Sequence, residues 1–501
     1  MIGIFRRDKT PQVSRYNYKI NAFDGIDAKT DNTKLPLSFG SYSYNIAIEN
    51  GILKTGIGIN PAVLTDSNGN QRILPDMSSM LKTIKGLYVY RAYDYEYNLK
   101  NDRIIVRASD NKFYQVGLYE GSNYVEIEGL SSTSDDVTCI NYYMDGKDAF
   151  LVYTGDGGMF HYVPGTLTKF ENAPGLKSAC MHYDRVFGVD SKDYNKIHFS
   201  SPLVPTDFSV ESGGGSISLM DEGGKINKVV SFKDYVFVFR DYAIHRLTAY
   251  TEPSEYSISK VFTSSEKIIA DTVAVADRYI VFLCGNSLYK FDGYNLSKVY
   301  DGMSALIENS DFAVGVTFKG KYYLSVRMKK EGNEKVGDEI EFSTPKNNAI
   351  FCFDTLFSDN VAIMRGVDVR GFMPLVIGDY VELLVYFNNA RSAYIGMLDW
   401  SGKLYGNKLD KLFVSPTSNV GDLTRLKALR RIFVMSKYDF NLTIKQGDMV
   451  SEKLVSGNNS PTETAFSTVG DEISYRIKTN DDLMISELQF SFDLVRRYYA
   501  K

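Results

Sequence analysis

Apolar residues recur along this chain in short runs, each closed by a turn pair and answered by a second, alternating run. The clearest case is Arg278–Tyr300. Tyr279–Leu283 is apolar, Gly285-Asn286 turns the chain, Leu288–Phe291 returns, Asp292-Gly293 turns again, and Leu296–Tyr300 follows. Gly-Asn and Asp-Gly pairs accept the positive φ that tight hairpin turns require, so the stretch predicts a three-stranded meander. A sheet that small cannot bury its own faces and needs neighbours of its own kind.

The pattern supplies them. Similar text begins near residues 103, 149, 185, 235, 279, 322 and 380, spaced 36 to 58 residues apart. Turns fall at Asp110-Asn111 and Glu120-Gly121, at Gly155–Gly158 and Pro164-Gly165, at Ser191–Asp193, at Arg240-Asp241 and Glu252-Pro253, and at Asn388-Asn389. The sixth unit, Tyr322–Ile363, carries a polar insert from Lys329 to Asn347. Propeller blades repeat at roughly 40–50 residues with four strands each. The prediction is therefore an all-β chain whose centre is a β-propeller of six to eight blades, seven favoured. The fourth strand of each blade is expected in the connecting runs, such as Lys225–Phe232 and Thr272–Ala276. Two stacked sheets would share the turn spacing, but the recurring apolar first strand favours radial repetition.

Three segments follow: an N-terminal arm and hairpin over 1–60, the propeller over 61–400, and an antiparallel, sandwich-like domain over 401–501. In the last, Leu412–Val414, Ile432–Met435, Leu442–Ile444, Ile473–Ile477 and Ile485–Leu494 read as strands. Strict alternation over Ser486–Phe492 turns Leu488, Phe490 and Phe492 to one side. Residues 1–20 are polar and basic, an extended arm suited to docking on a neighbouring subunit. Tyr44–Lys54 is a hairpin on the Asn50-Gly51 pair, which suits a type I′ turn.

Composition narrows the chemistry. Tyr (36) and Phe (30) are heavily used, which agrees with β structure. The net charge of −4 gives no overall basic footprint for gripping nucleic acid. Cys139, Cys180, Cys284 and Cys352 are far apart, without the spacing of a zinc site, and Cys284 and Cys352 sit in apolar text as core residues. The beginning MIGIFRRDKTPQ lacks an apolar signal core, and no run approaches the ~18 apolar residues of a membrane helix. Asp66-x-Asn68-x-Asn70 imitates the start of a calcium loop, but Gln71 and Met77 stand where Gly and Glu are needed. His161, His182, His198 and His245 are scattered over three blades. No nucleophile, metal or phosphate-loop motif is present, and the phrase Asp399-Trp400-Ser401-Gly402 occurs once. No catalytic, cofactor-binding or metal-binding residue is nominated. The charged stretch Lys329–Lys346 reads as a solvated loop or a subunit contact. Arg425, Lys427, Arg430, Arg431, Arg496 and Arg497 read as edge protection and subunit salt bridges rather than DNA contacts.

One stretch carries a resemblance. Phe23-Asp24-Gly25-Ile26, then Leu35-Pro36, Tyr44-Asn45 and Glu49-Asn50-Gly51-Ile52-Leu53-Lys54-Thr55-Gly56-Ile57-Gly58 resemble the opening of the propeller-type tail nozzle, or tubular tail, proteins of tailed bacteriophages. The likeness covers about forty residues. It implies a non-enzymatic virion protein without a cofactor, located at the tail or neck and assembled in the host cytoplasm. The implied form is a homo-oligomeric ring lining the DNA-ejection conduit. The implied partners are portal, adaptor or other tail proteins, with DNA only as passing cargo and no membrane span. A slightly acidic protein suits such a conduit, because a basic lumen would hold the phosphates. A glycan-binding surface propeller and a propeller glycoside hydrolase are the alternatives.

Overall fold

The computed structural model describes residues 14–65, 71–73, 82–94, 99–116, 124–144, 146–250, 252–330, 346–356, 360–388, 393–421 and 425–496. The Asp66–Asn70 turn, the Glu120-Gly121 turn, Asn389 and most of the Lys329–Lys346 insert lie outside them. The chain folds into two compact units: one of Met1–Gly58, Ser358–Met364 and Trp400–Lys501, the other of Ile59–Phe357 and Arg365–Asp399. We call them unit 1 and unit 2.

Unit 2 is a seven-bladed β-propeller. Blades 1 to 5 are four-stranded antiparallel meanders that open with Ile84–Tyr90, Val137–Met144, Leu176–His182, Ile226–Phe232 and Ile268–Ala276. Blade 6 opens with Ile307–Phe318 and continues through Lys321–Met328 and Ala349–Asp354. Blade 7 runs Val369–Ile377, Tyr380–Asn388, Ala393–Asp399, and its fourth strand is Gly58–Pro61 from the start of the chain. Asn60 Nδ2 donates to Asp399 Oδ2 at 2.7 Å beside that strand. The first strands of successive blades touch, those of blades 1 and 2 through the hydrogen bond from Asn141 to the Val89 carbonyl, and that of blade 7 touches that of blade 1, so the ring closes.

The seven repeats appear where the sequence placed them, but one strand out of phase. The apolar runs near 103, 149, 185, 235, 279, 322 and 380 are the second strands of the blades, not the first. The supposed connecting runs are the first, innermost strands: Ile226–Phe232 and Ile268–Ala276 pair with the strands that follow them. The cause is burial. Tyr279–Cys284 is buried at all but its first residue, and Val236–Arg240 is buried throughout, because neighbouring blades cover both faces of a second strand. Innermost strands border the axis and mix polar with apolar residues, so they are quieter in sequence.

Aromatic rings fill the wedges between blades. Between blades 4 and 5, Phe237 meets Phe291 with ring centroids 5.1 Å apart and Phe239 meets Phe282 at 5.4 Å, both edge to face. Phe237, Phe239 and Phe282 are wholly buried. Each such burial stabilises by roughly 1.5–3 kcal/mol.

Unit 1 is a two-sheet sandwich. One sheet runs through Val361–Arg365, Ile46–Glu49, Ile52–Thr55, Met484–Arg496, Arg425–Ser436 and Pro461–Gly470. The other orders Tyr42–Tyr44, Lys411–Val414, Ile473–Thr479, Phe440–Gln446 and Met449–Val455. Tyr475 and Phe490 meet across the interior at 5.6 Å. Leu488, Phe490 and Phe492 are fully buried, as their alternation requires. Of the N-terminal arm, Ser14–Ile20 is a strand lying along Leu488–Leu494. At the hairpin tip Asn50 and Gly51 have φ of +52° and +75°, the conformation the Asn-Gly pair was chosen for. A Cβ on Gly51 would lie 2.7 Å from that of Ala22.

Candidate functional site

Two places on unit 2 gather polar and exposed residues: the axis and one loop face. At the axis, the first strands enter with a β-bulge in most blades. Register shifts fall at Ile84/Gly86, Leu176/Ser178, Ile226/Lys228, Ile307/Asn309 and Val369/Gly371. The residues skipped are Lys85, Lys177, Asn227, Glu308 and Arg370, all polar. A bulge re-aims a side chain without ending the strand.

Lys177 and Asn227 are thereby among the residues lining an axial cavity of about 470 Å3, with Asp135, Lys228, Lys267, Asp271 and Asp311. Burial lowers the ammonium pKa of Lys177 and Lys228, while Asp271 pulls both back up. Lys85 Nζ donates to Asp135 Oδ1 at 3.0 Å, and that hydrogen bond holds the Asp135 carboxyl below its usual range. The carboxylates thus stand interleaved with ammonium groups. Lys177 Nζ donates to Asn227 Oδ1 at 2.8 Å and Lys228 Nζ to the Val273 carbonyl at 3.0 Å.

These bonds belong to a wider set. Every seam between neighbouring blades is crossed by a hydrogen bond between a side chain of one blade and the backbone of the next. Asn141 Nδ2 donates to Val89 O (3.0 Å), the Ala179 amide to Thr138 Oγ1 (3.2 Å), and the Val229 amide to Ser178 Oγ (3.3 Å). After Lys228 come Thr317 Oγ1 to Val275 O (2.6 Å) and Ser325 Oγ to Val369 O (2.8 Å). The last seam is tied twice by Asp102, whose amide donates to Val376 O at 3.1 Å and whose buried carboxylate accepts from the Val376 amide at 3.0 Å. Arg91 pairs with that carboxylate at 2.7 Å. The axial polar groups hold the ring of blades together and satisfy backbone groups that burial would otherwise orphan.

The four histidines stay apart, each in its own surroundings. His182 Nδ1 sits 2.9 Å from Ser231 Oγ, His198 Nε2 2.7 Å from Asp190, and His245 Nε2 3.2 Å from Asp221; His161 lies in blade 2. Among the described residues no group of three or more His, Cys, Asp or Glu is placed to hold a metal ion. Cys284 and Cys352 are buried core residues.

The second place is the face formed by the turn after the first strand and the turn after the third strand of each blade. In an antiparallel meander those turns share one end. On blades 3 to 5 they present Tyr183 (59% exposed), Tyr250 (58%) and Tyr294 (62%), with Leu203 (69%) and Val210 (80%). Hydrogen bonds between blades hold two of these tyrosines: Tyr183 Oη donates to Asp234 at 3.2 Å, and the hydroxyls of Tyr235 and Tyr294 are 3.2 Å apart. Neither place was nominated from sequence. The axial residues were hidden by the phase error, and the signal that finds them is a polar residue at the second position of most of the quieter strands: Lys85, Lys177, Asn227, Glu308 and Arg370.

No protein-family model matches the chain, and no curated protein is detectably similar to it. Solved structures are similar in fold. BBS1N in its complex with ARL6DN is 12% identical with a TM-score of 0.42, over 60% of this chain and 88% of that one. The Neurospora crassa Pan2 WD40 domain is 11% identical with a TM-score of 0.36, over 64% and 97%. The N-terminal domain of Nup159 is 11% identical with a TM-score of 0.39, over 68% and 95%. Likenesses this distant carry no statement about activity or partners.

Proposed function

We propose that this protein is a structural subunit of a tailed-bacteriophage virion, a tail nozzle, tubular tail or neck ring component that surrounds the DNA-ejection conduit. The observation that carries the reading is the exposed Tyr, Leu and Val set on the loop face of blades 3 to 5. Apolar and aromatic groups clustered on an exposed face favour a protein neighbour, and tyrosine supplies large contact area at low entropic cost. The N-terminal resemblance adds the context, since its hairpin forms two strands of the unit 1 sheet and runs directly into the strand that completes blade 7. The interleaved charges of the axis act as ties between blades, which suits a stiff building block.

The test is composition and position in particles. Virions purified from a host carrying this gene should contain the protein, and gold-labelled antibodies against it should decorate the tail or neck. Its absence from intact particles would refute the reading. Three exposed tyrosines also favour a second reading, a surface that stacks on receptor glycans. Saturable retention on host-surface polysaccharide, lost in Tyr250→Ala, would support that instead.

A further inference from the structure

The two units carry opposite charge. Unit 1 holds 23 Lys and Arg against 18 Asp and Glu, and unit 2 holds 34 against 43, so the formal charges are +5 and −9. Each excess is visible on a particular exposed face.

On unit 2 it is the loop face of blades 3 to 5. Asp184, Asp234, Glu252, Glu255 and Asp277 are exposed there, against Lys233 and Arg278 on the same turns. Among the described residues none of these five carboxylates takes part in an ion pair. They surround Tyr183, Tyr250 and Tyr294, so the face is acidic and aromatic together.

On unit 1 it is the outer side of the five-stranded sheet, over its last three strands. Strand register sets the residues in rows: Lys478, Asn441 and Leu454; Arg476, Thr443 and Glu452; Ser474, Lys445 and Val450. Alternate residues of these strands, Leu442, Ile444, Tyr475 and Ile477, are buried in the sandwich, so the rows point outward. Val450 and Leu454 are 65% and 64% exposed, and three cations stand against one carboxylate. Lys445 and Lys478 have no ion pair among the described residues.

We propose that these two faces bind each other between copies of this chain, the basic sheet face of one copy on the acidic loop face of blades 3 to 5 of the next. The occupant is a second copy because each surface is what the other lacks: exposed aliphatics meet exposed tyrosines, and a cation-rich face, with Lys445 and Lys478 outside any ion pair among the described residues, meets unpaired carboxylates. Complementary potentials of this kind select the partner and fix register. The two patches differ, so the contact is head to tail, the arrangement that yields a ring when the rotation closes and a filament when it does not. This rests on the ring reading above and names its contact.

The experiment uses the full chain and mass photometry over a range of concentration and salt. Arg476→Glu with Lys478→Glu, and separately Asp234→Lys with Glu252→Lys, should each weaken self-association at least tenfold. The four changes combined should restore it, because the charges are again complementary. High salt should weaken the wild type and leave the single-face variants little changed. All substituted positions are exposed, and circular dichroism of each variant checks that it folds. Wild-type rings that survive both reversals would overturn this interface while leaving the ring reading standing. Open head-to-tail chains, abolished by either reversal and rescued by both, would support the interface and contradict the ring. A wild type that stays monomeric throughout would overturn both.

Discussion

Each blade of unit 2 is built almost wholly from consecutive chain, strand to turn to strand, and only the fourth strand of blade 7 comes from elsewhere. Unit 1 is built the opposite way. Ser14–Ile20 pairs with Leu488–Leu494, Tyr42–Tyr44 with Leu412–Val414, and Ile46–Ile48 with Val361–Ile363. Local pairing makes the propeller a repeat whose stability is spread over similar wedges and seams. Non-local pairing makes the sandwich depend on segments hundreds of residues apart, whose closure is slow and entropically costly. The two regions bury their apolar residues by different routes, and they differ again in the sign of their charge.

Core truncations probe this contrast most strongly. Phe282→Ala in the wedge between blades 4 and 5 should cost about 3–5 kcal/mol, read by chemical denaturation. Hydrogen exchange should then rise in blades 4 and 5 first. Phe490→Ala, between Tyr475 and Phe492 in the sandwich, should cost a similar ~3–5 kcal/mol, with the rise in exchange spread over the paired N- and C-terminal segments. Equal exchange in all blades after Phe282→Ala would break the picture of near-independent wedges.

A smaller effect is expected at the closing seam. Asp102→Ala removes a buried carboxylate, leaves the half-buried Val376 amide without its partner and should cost about 1–3 kcal/mol. Exchange should quicken at the junction of blades 1 and 7 before the other seams. Unchanged stability would mean that the tie does not hold the ring.

The pH dependence is smaller still. Burial alone would raise the Asp221 carboxyl, but the hydrogen bond from Lys260 and the charges of Arg240 and His245 outweigh it and hold its pKa at about 2. The folded value lies below the unfolded one of about 4, so this group's contribution is complete above about pH 4 and is lost as the pH falls toward 2. Acid titration of stability should therefore be shallower over that window in Asp221→Asn. A surface pair such as Arg430–Asp493, 2.8 Å apart with Arg430 half exposed, should matter least. Arg430→Ala should change stability by about 0.2–1 kcal/mol.

The same contrast explains what could be read from the chain. Seven repeats were legible because Tyr279–Cys284 and its six counterparts are apolar for a reason every blade shares. Their phase was not, since a run such as Ile226–Phe232 alternates Lys228 and Ser231 with Val229 and Phe232 as it passes the axis. Alternation over Ser486–Phe492 was legible as a buried strand, but the partners of that strand, Leu53–Lys54 at Met484–Ile485 and Ser14–Ile20 at Leu488–Leu494, carry no mark linking them across more than four hundred residues. The axial ties and the loop face were not legible at all. Asp102, Lys228 and Tyr250 are ordinary polar or aromatic residues until the ring brings their neighbours to them.

Electron microscopy of the purified full-length protein, alone and with co-expressed portal and adaptor proteins, tests the central claim most directly. The account predicts closed rings in which each subunit shows a seven-bladed disc. Isolated single copies under every condition would contradict it.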